Sequence, residues 1–192
     1  FIDSELQVAE KDEKKYSGQF VGSALNLSKN NSSAAIIGGG DGGVARELSS
    51  KGFDLIDWYE LDPEVVKVCQ KHLLKVCGDI KANNKVKTYW GDAFESIKKV
   101  KDSKYDKIFV DLNDDQFCID LAAKNMKGLK RILKPGGIIT AQVGCMSKKP
   151  RQVKNWLELL KNNFGNVTLD EIFIPSFDCR WNFASSSNKN QS

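Results

Sequence analysis

The chain has 192 residues, of which 41% are apolar and 28% charged, with a formal net charge of +4 at pH 7. That is enough for one domain with its own core, and the composition excludes collagen, a mucin-like stalk and wholesale disorder. The lysines are spread along the chain rather than gathered in a basic tract, which argues against a nucleic-acid partner, and no stretch approaches the ~18 uninterrupted apolar residues of a membrane span.

Residues 2–9 read as extended and 12–25 as a helix of mixed charge, followed by a polar loop over 26–33. The apolar run AAII at 34–37, the turn GGGDGG and the segment VARELSS make a strand, a tight turn and a helix. LIDWYE at 55–60 is a second strand; Pro63 after Asp62 opens a helix whose Val65, Val66, Val68 and Leu73 suit a sheet-covering face. VKTYW is a strand with a helix from about Ala93; YDKIFVDL is a strand, and IDLAAKNMKGLKRIL a helix. KPGG turns the chain into the strand IITAQVG. The helix VKNWLELLKNNF and two strands near VTLDEIFI and RWNFASS complete the order. This alternation implies one α/β domain: a mostly parallel sheet with helices on both faces, ending in an antiparallel hairpin.

Five cysteines (Cys69, Cys77, Cys118, Cys145 and Cys179) are odd in number and form no CxxC pair. All five are expected to be packing residues, without a disulfide framework or zinc site, which suits a reducing cytoplasmic setting. His72, the only histidine, falls among lysines and is expected at the surface.

Gly38, Gly40 and Gly43 satisfy GxGxxG between a strand and a helix, where a glycine turn lets the backbone approach a ligand closely. Glu60 ends the second strand ~20 residues on, where a carboxylate accepts from ribose hydroxyls. A dinucleotide would rest its pyrophosphate on the start of the following helix, yet Asp41 stands inside the turn. At ~4 Å and an effective dielectric of ~20 the two anions repel by about 4 kcal/mol. The turn therefore suits a cationic sulfonium nucleoside rather than NAD. Asp92 of GDAF either accepts from an adenine amino group or caps the helix that begins at Ala93.

The fourth strand runs into Asp111, Asp114 and Asp115. Open α/β sheets bind ligands at the carboxyl ends of their strands, and like charges gathered there raise one another's pKa. A bound polycation would relieve the cluster; the alternative is a capping cluster ahead of Ile119.

IDSELQ, AEKDEKKY, IIGGGDGG, YELDPEV, GDAF, VDLND, LKPGG and IPSF together resemble the polyamine aminopropyltransferases, the spermidine and spermine synthases, over nearly the whole chain. KVCGD, the DL at the fourth strand end and PSF with Trp181 close behind lean toward the spermine synthase branch. The resemblance implies a Rossmann-like fold of the class I methyltransferase type. It implies transfer of the aminopropyl group of decarboxylated S-adenosylmethionine to a polyamine amine, with release of methylthioadenosine. Spermidine is the favoured acceptor and putrescine the next. No cofactor or metal is called for, since the sulfonium is already a good leaving group. A cytoplasmic homodimer is expected, with neither nucleic acid nor membrane as partner.

On the positions that match, Asp111 and Tyr16 would grip the attacking amine and help remove its proton. Gln7 and Glu60 would serve the ribose, Leu61 the adenine face, Asp92 the adenine amino group and Asp41 the aminopropyl ammonium, with Gly38, Gly40, Gly43 and Ala93 also binding the donor. Tyr16, Asp41, Asp111, Asp114, Phe177 and Trp181 would line the acceptor. Residues 1–25 are expected to be the end of an N-terminal β segment with a linking helix, 26–186 the nucleoside-binding catalytic domain and 187–192 a polar tail. Three departures stand out. The chain begins where the family's N-terminal β-domain would be ending, so that domain is expected to be absent, truncated away or encoded elsewhere. A shorter connection, Gln116 to Asp120, replaces the usual proline-glycine segment after the strand-end acids; and Phe177 stands where many relatives have tyrosine. Two other possibilities stay open, an S-adenosylmethionine-dependent methyltransferase and a catalytically weak paralogue.

Overall fold

Strands covered on both faces read as continuous apolar runs, and β1 (Ser33–Gly38) and β4 (Tyr105–Asp111) at the centre of the sheet are of this kind. Ala35, Ile37, Ile108 and Val110 face one core layer, whereas Ala34, Ile36 and Phe109 face the other. The computed structural model describes residues 6–188. Around those two strands it places β2 (Leu55–Glu60), β3 (Val86–Trp90), β5 (Leu133–Cys145), β6 (Val167–Ile174) and β7 (Cys179–Ser187), in the sheet order β3-β2-β1-β4-β5-β7-β6. The first five positions are parallel; β7 pairs antiparallel with both β5 and β6.

One face is covered by α1 (Glu13–Leu27), α2 (Gly43–Ser50) and α3 (Pro63–His72), through Phe20, Val21, Leu48 and Val66. The opposite face carries α5 (Ala93–Ile97), α6 (Gln116–Ile132) and α7 (Pro150–Phe164), through Ile97, Met126, Leu129 and Trp156. A short α4 (Leu74–Cys77) follows α3. Strand order reverses between β1 and β4, where Gly38 pairs in register with Asp111. That switch point is where open α/β sheets leave a crevice for a ligand.

Several expectations are revised. Residues 2–5 lie outside the described residues, and 6–9 form neither strand nor helix. The α3 face is narrower than expected: Val66 is buried but Val68 is 56% exposed, because α4 contributes Val76 and Cys77 to the layer instead. KPGG does not separate α6 from its strand. The pairing passes from Tyr105 with Leu133 to Lys107 with Ile138, so Pro135 to Gly137 bulge within β5. Gly136 N–H donates to Asn188 O at 2.7 Å, and Asn188 N–H to Gly137 O at 2.8 Å, which ties the end of β7 to this bulge. α6 begins at Gln116 rather than near Ile119, so the connection between β4 and α6 is only Leu112 to Asp115, and Gln116 to Asp120 is helix rather than loop.

The cysteine expectation is corrected as well. Cys145 and Cys179 form a disulfide with Cα atoms 6.3 Å apart. They are 34 residues apart in sequence, and only the antiparallel pairing of β5 with β7 makes them neighbours, which counting cysteines could not reveal. Cysteine usage therefore carries no argument about compartment. Among the described residues no helix is long and apolar enough to cross a membrane.

Candidate active site

The glycine turn is moulded onto the end of β4. Gly38 and Gly39 have φ of 83° and 71°, a region other residues resist, and a Cβ at Gly38 would collide with the Asp111 carbonyl oxygen. Gly39 N–H donates to that oxygen at 3.0 Å, and Trp58 Nε1–H donates to Gly38 O at 2.8 Å. Gly43 opens α2 without a side chain because Glu13 Oε1 fills the space its Cβ would need. Asp41 folds back on the helix start, its Oδ1 accepting from Gly43 N–H at 2.7 Å.

Four acids meet around this turn. Tyr16 Oη, on α1, donates to Asp111 Oδ1 at 2.7 Å across a sequence separation of 95. Glu60 is buried and accepts from Asp62 N–H at 3.0 Å. Glu13 is buried and bridged to Arg46 at 2.6 Å; Arg46 also donates to Ser17 Oγ at 3.0 Å and to Val76 O. Burial, and then the charge of Asp41, push the Asp111 carboxyl up to about 7. Burial first, with Glu13 and Glu60 adding and Gly43 N–H and Arg46 opposing, raises Asp41 to about 6. Burial also raises Glu60, and burial together with the Asp111 charge lifts Tyr16 well above the usual phenol. A cation placed among these carboxyls would favour their charged forms.

The sequence-predicted residues converge, with differences in detail. Gln7, Asp12, Glu13, Tyr16, Asp41 and Phe177 line a cavity of about 10 Å³, room for one water. Leu61, at the carboxyl end of β2, is 71% exposed, an apolar side chain presented at the rim. Asp92 caps α5: its Oδ1 accepts from Phe94 N–H at 2.7 Å and Glu95 N–H at 3.3 Å. Ala93 is the first residue of that helix and Gly40 sits against the Glu60 carboxylate. The three strand-end aspartates take different partners. Asp111 holds Tyr16, Asp114 Oδ1 accepts from Lys149 Nζ at 3.1 Å, and Asp115 Oδ1 caps α6 by accepting from Cys118 N–H at 2.7 Å.

Aromatic rings wall the crevice beside Tyr16. The Tyr16 ring lies 5.2 Å from Phe183, 6.2 Å from Phe177 and 6.4 Å from Trp181, and Phe177 lies 4.7 Å from Trp181. Phe177 is presented by a 3-10 turn, Pro175–Phe177, that Asp12 clamps through Ser176 N–H at 2.7 Å and Ser176 Oγ at 2.8 Å. Trp181 Nε1–H donates to Gln142 Oε1 at 3.2 Å, and Gln142 Nε2–H reaches Leu112 O. Sequence reasoning missed Asp12, Glu13, Arg46, Gln142 and Lys149. For the first two a signal existed: Asp12, Glu13, Tyr16, Ser17, Phe20, Val21 and Ala24 recur at helical spacing and are the inward stripe of α1, so the charged run is not wholly a solvated face.

The sequence model of the spermine/spermidine synthase domain matches residues 13–192. A polyamine aminopropyltransferase of Prochlorococcus marinus (strain MIT 9215) is 35% identical over 192 residues, 95% of this chain and 66% of that protein. Polyamine aminopropyltransferase 2 of Aquifex aeolicus (strain VF5) is 30% identical over 182 residues, 92% of this chain and 37% of that protein. The chain thus spans about two thirds or less of the curated relatives it matches. A crystal structure of spermidine synthase with the transition-state analogue AdoDATO superposes with a TM-score of 0.84 at 20% identity, over 95% of this chain and 62% of that one. Spermidine synthase from Thermotoga maritima gives 0.86 at 21% identity, again over 95% and 62%. These two likenesses establish the Rossmann-like fold. The match over residues 13–192 extends to the glycine turn, the strand-end acids and the aromatic wall alike, and the chain belongs to the spermine/spermidine synthase domain family.

Proposed function

We propose that this chain carries the catalytic domain of a polyamine aminopropyltransferase, moving the aminopropyl group of decarboxylated S-adenosylmethionine to a polyamine amine. The observation that carries it is the meeting of Asp41 and Asp111 at the switch point, with Tyr16 donating to Asp111. Asp41 suits the donor's aminopropyl ammonium; Glu60 and Gln7 suit the ribose. Leu61 and Ala93 suit the adenine, with Asp92 contributing whatever its capping of α5 leaves available.

Attack at the carbon beside sulfur needs an amine lone pair. An alkylamine resembles lysine, with a pKa of ~10.4, so baring it at pH 7 costs about 4–5 kcal/mol. The new C–N bond forms as the C–S bond breaks, its electron pair staying on sulfur in methylthioadenosine. The nitrogen, now more acidic, then sheds its proton. Asp111, poised near 7, is matched to receive it, and the Tyr16 hydroxyl fixes the carboxylate's orientation. Spermidine is the preferred acceptor in this proposal and putrescine the next, with Phe177 and Trp181 flanking the methylene chain.

Product chromatography with putrescine, spermidine, decarboxylated S-adenosylmethionine and the ordinary donor tests the assignment. The expected result is methylthioadenosine and a lengthened polyamine from the decarboxylated donor alone. The ordinary donor brings a carboxylate near Asp41, so calorimetry showing it to bind more tightly would overturn the proposal in favour of methyl transfer.

A further inference from the structure

The turn between β5 and α7 carries two ammonium groups into the acceptor side. Lys148 and Lys149 N–H groups both donate to Cys145 O, at 3.1 and 2.8 Å, which aims their side chains back across the strand ends. Lys148 Nζ donates to Phe177 O at 2.7 Å. Lys149 Nζ bridges Asp114 at 3.1 Å, with side-chain exposures of 32% and 12%. Asp114 is also pressed against Gly144, where a Cβ would stand 2.7 Å from its Oδ2. Asp114 follows Asp111 by three positions in the β4–α6 connection, and the Gly144 it rests on lies beside Cys145, the register partner of Trp181.

We infer that Lys149 is a specificity-determining residue: its ammonium occupies the carboxylate that a second ammonium of the acceptor would otherwise use. This inference rests on the proposed function. A diamine or triamine entering with its reacting nitrogen at Asp111 directs its next cation along the same wall. There it meets Asp114 already neutralised by Lys149. The acceptor must displace an internal cation held by a half-buried pair, and like charges at such a site disfavour one another. A monoamine makes no such demand. Lys149 therefore lowers the advantage that polycationic acceptors hold over simple amines.

The test is calorimetric titration of the methylthioadenosine-saturated protein with n-butylamine, 1,4-diaminobutane and spermidine, on wild type, Lys149→Met and Lys149→Arg. Lys149→Met should raise the preference for the diamine over the monoamine by roughly five- to tenfold, and Lys149→Arg, which keeps the charge, should return it to the wild-type ratio. Methylthioadenosine binding reports that each variant is folded. An unchanged or reduced diamine preference in a folded Lys149→Met protein overturns the inference alone. If wild type binds neither methylthioadenosine nor any amine, the functional proposal falls and takes this inference with it.

Discussion

In the proposed assignment, the glycine turn and Glu60 on the donor side come from one stretch, Gly38 to Glu60, and the turn is held by Asp41, by Trp58 and by the Asp111 carbonyl. The proposed acceptor side is stitched together from distant segments. Asp12 reaches Ser176 across 164 positions, Lys149 reaches Asp114 across 35, and Gln142 links Trp181 to Leu112. The donor turn is largely local, with one brace from outside it, the Glu13–Arg46 pair. The acceptor side depends on side-chain clamps that a single substitution can release, so acceptor choice is the property more easily altered.

The largest effect should come where the two sides meet. Asp111→Asn keeps the shape but removes the proton acceptor, so turnover should fall by roughly 10²–10⁴-fold while methylthioadenosine affinity stays nearly intact. Equal loss of both would mean that Asp111 serves the donor turn instead.

Next is the brace beneath the donor turn. Glu13→Gln leaves the Arg46 guanidinium without its buried partner, a loss of about 3–5 kcal/mol that should lower the melting temperature by roughly 10 °C. The double variant Glu13→Gln/Arg46→Met should recover part of that fall. If the single variant melts like wild type, the pair does not brace the turn.

A third expectation concerns pH. Asp111 at about 7 and Asp41 at about 6 are both raised above the ordinary carboxyl near ~4. The native protein therefore keeps protons that the unfolded chain releases, and their contribution to stability is full below pH ~4 and lost as pH rises to ~7. Asp41→Asn removes its share of that slope, so its melting temperature relative to wild type should climb from pH 4 to pH 8. A difference independent of pH would show that the Asp41 carboxyl does not titrate in this window.

The smallest effect should appear at the aromatic wall. Asp12→Ala frees the turn that presents Phe177, and loss of hydrogen bonds to a charged acceptor costs about 1.5–3 kcal/mol. The KM for the polyamine should rise several-fold, with the donor KM less affected. A reversed pattern would place the clamp on the donor side.

Much of this molecule was legible beforehand, and the particular elements say why. β1, β4 and α2 are named by an apolar run, a glycine turn and a helical period, all carried within a few residues. The N-caps of α3 and α5 are equally local. The KPGG bulge was not legible, because Asn188 stabilises it from the far end of β7. Nor was the Cys145–Cys179 pair, since strand order rather than spacing makes them neighbours.

For the site, Asp41 within the glycine turn and Glu60 and Asp111 after apolar runs came from the chain itself, whereas Tyr16 on α1 came from the family resemblance. Which acid is partnered by which group was decided only by packing. Asp111, Asp114 and Asp115 lie within five positions of one another yet hold a phenol, an ammonium and a helix start respectively. The physical reason is that local patterns encode backbone conformation and burial, whereas charge pairing depends on which distant side chain the fold delivers to within ~3 Å.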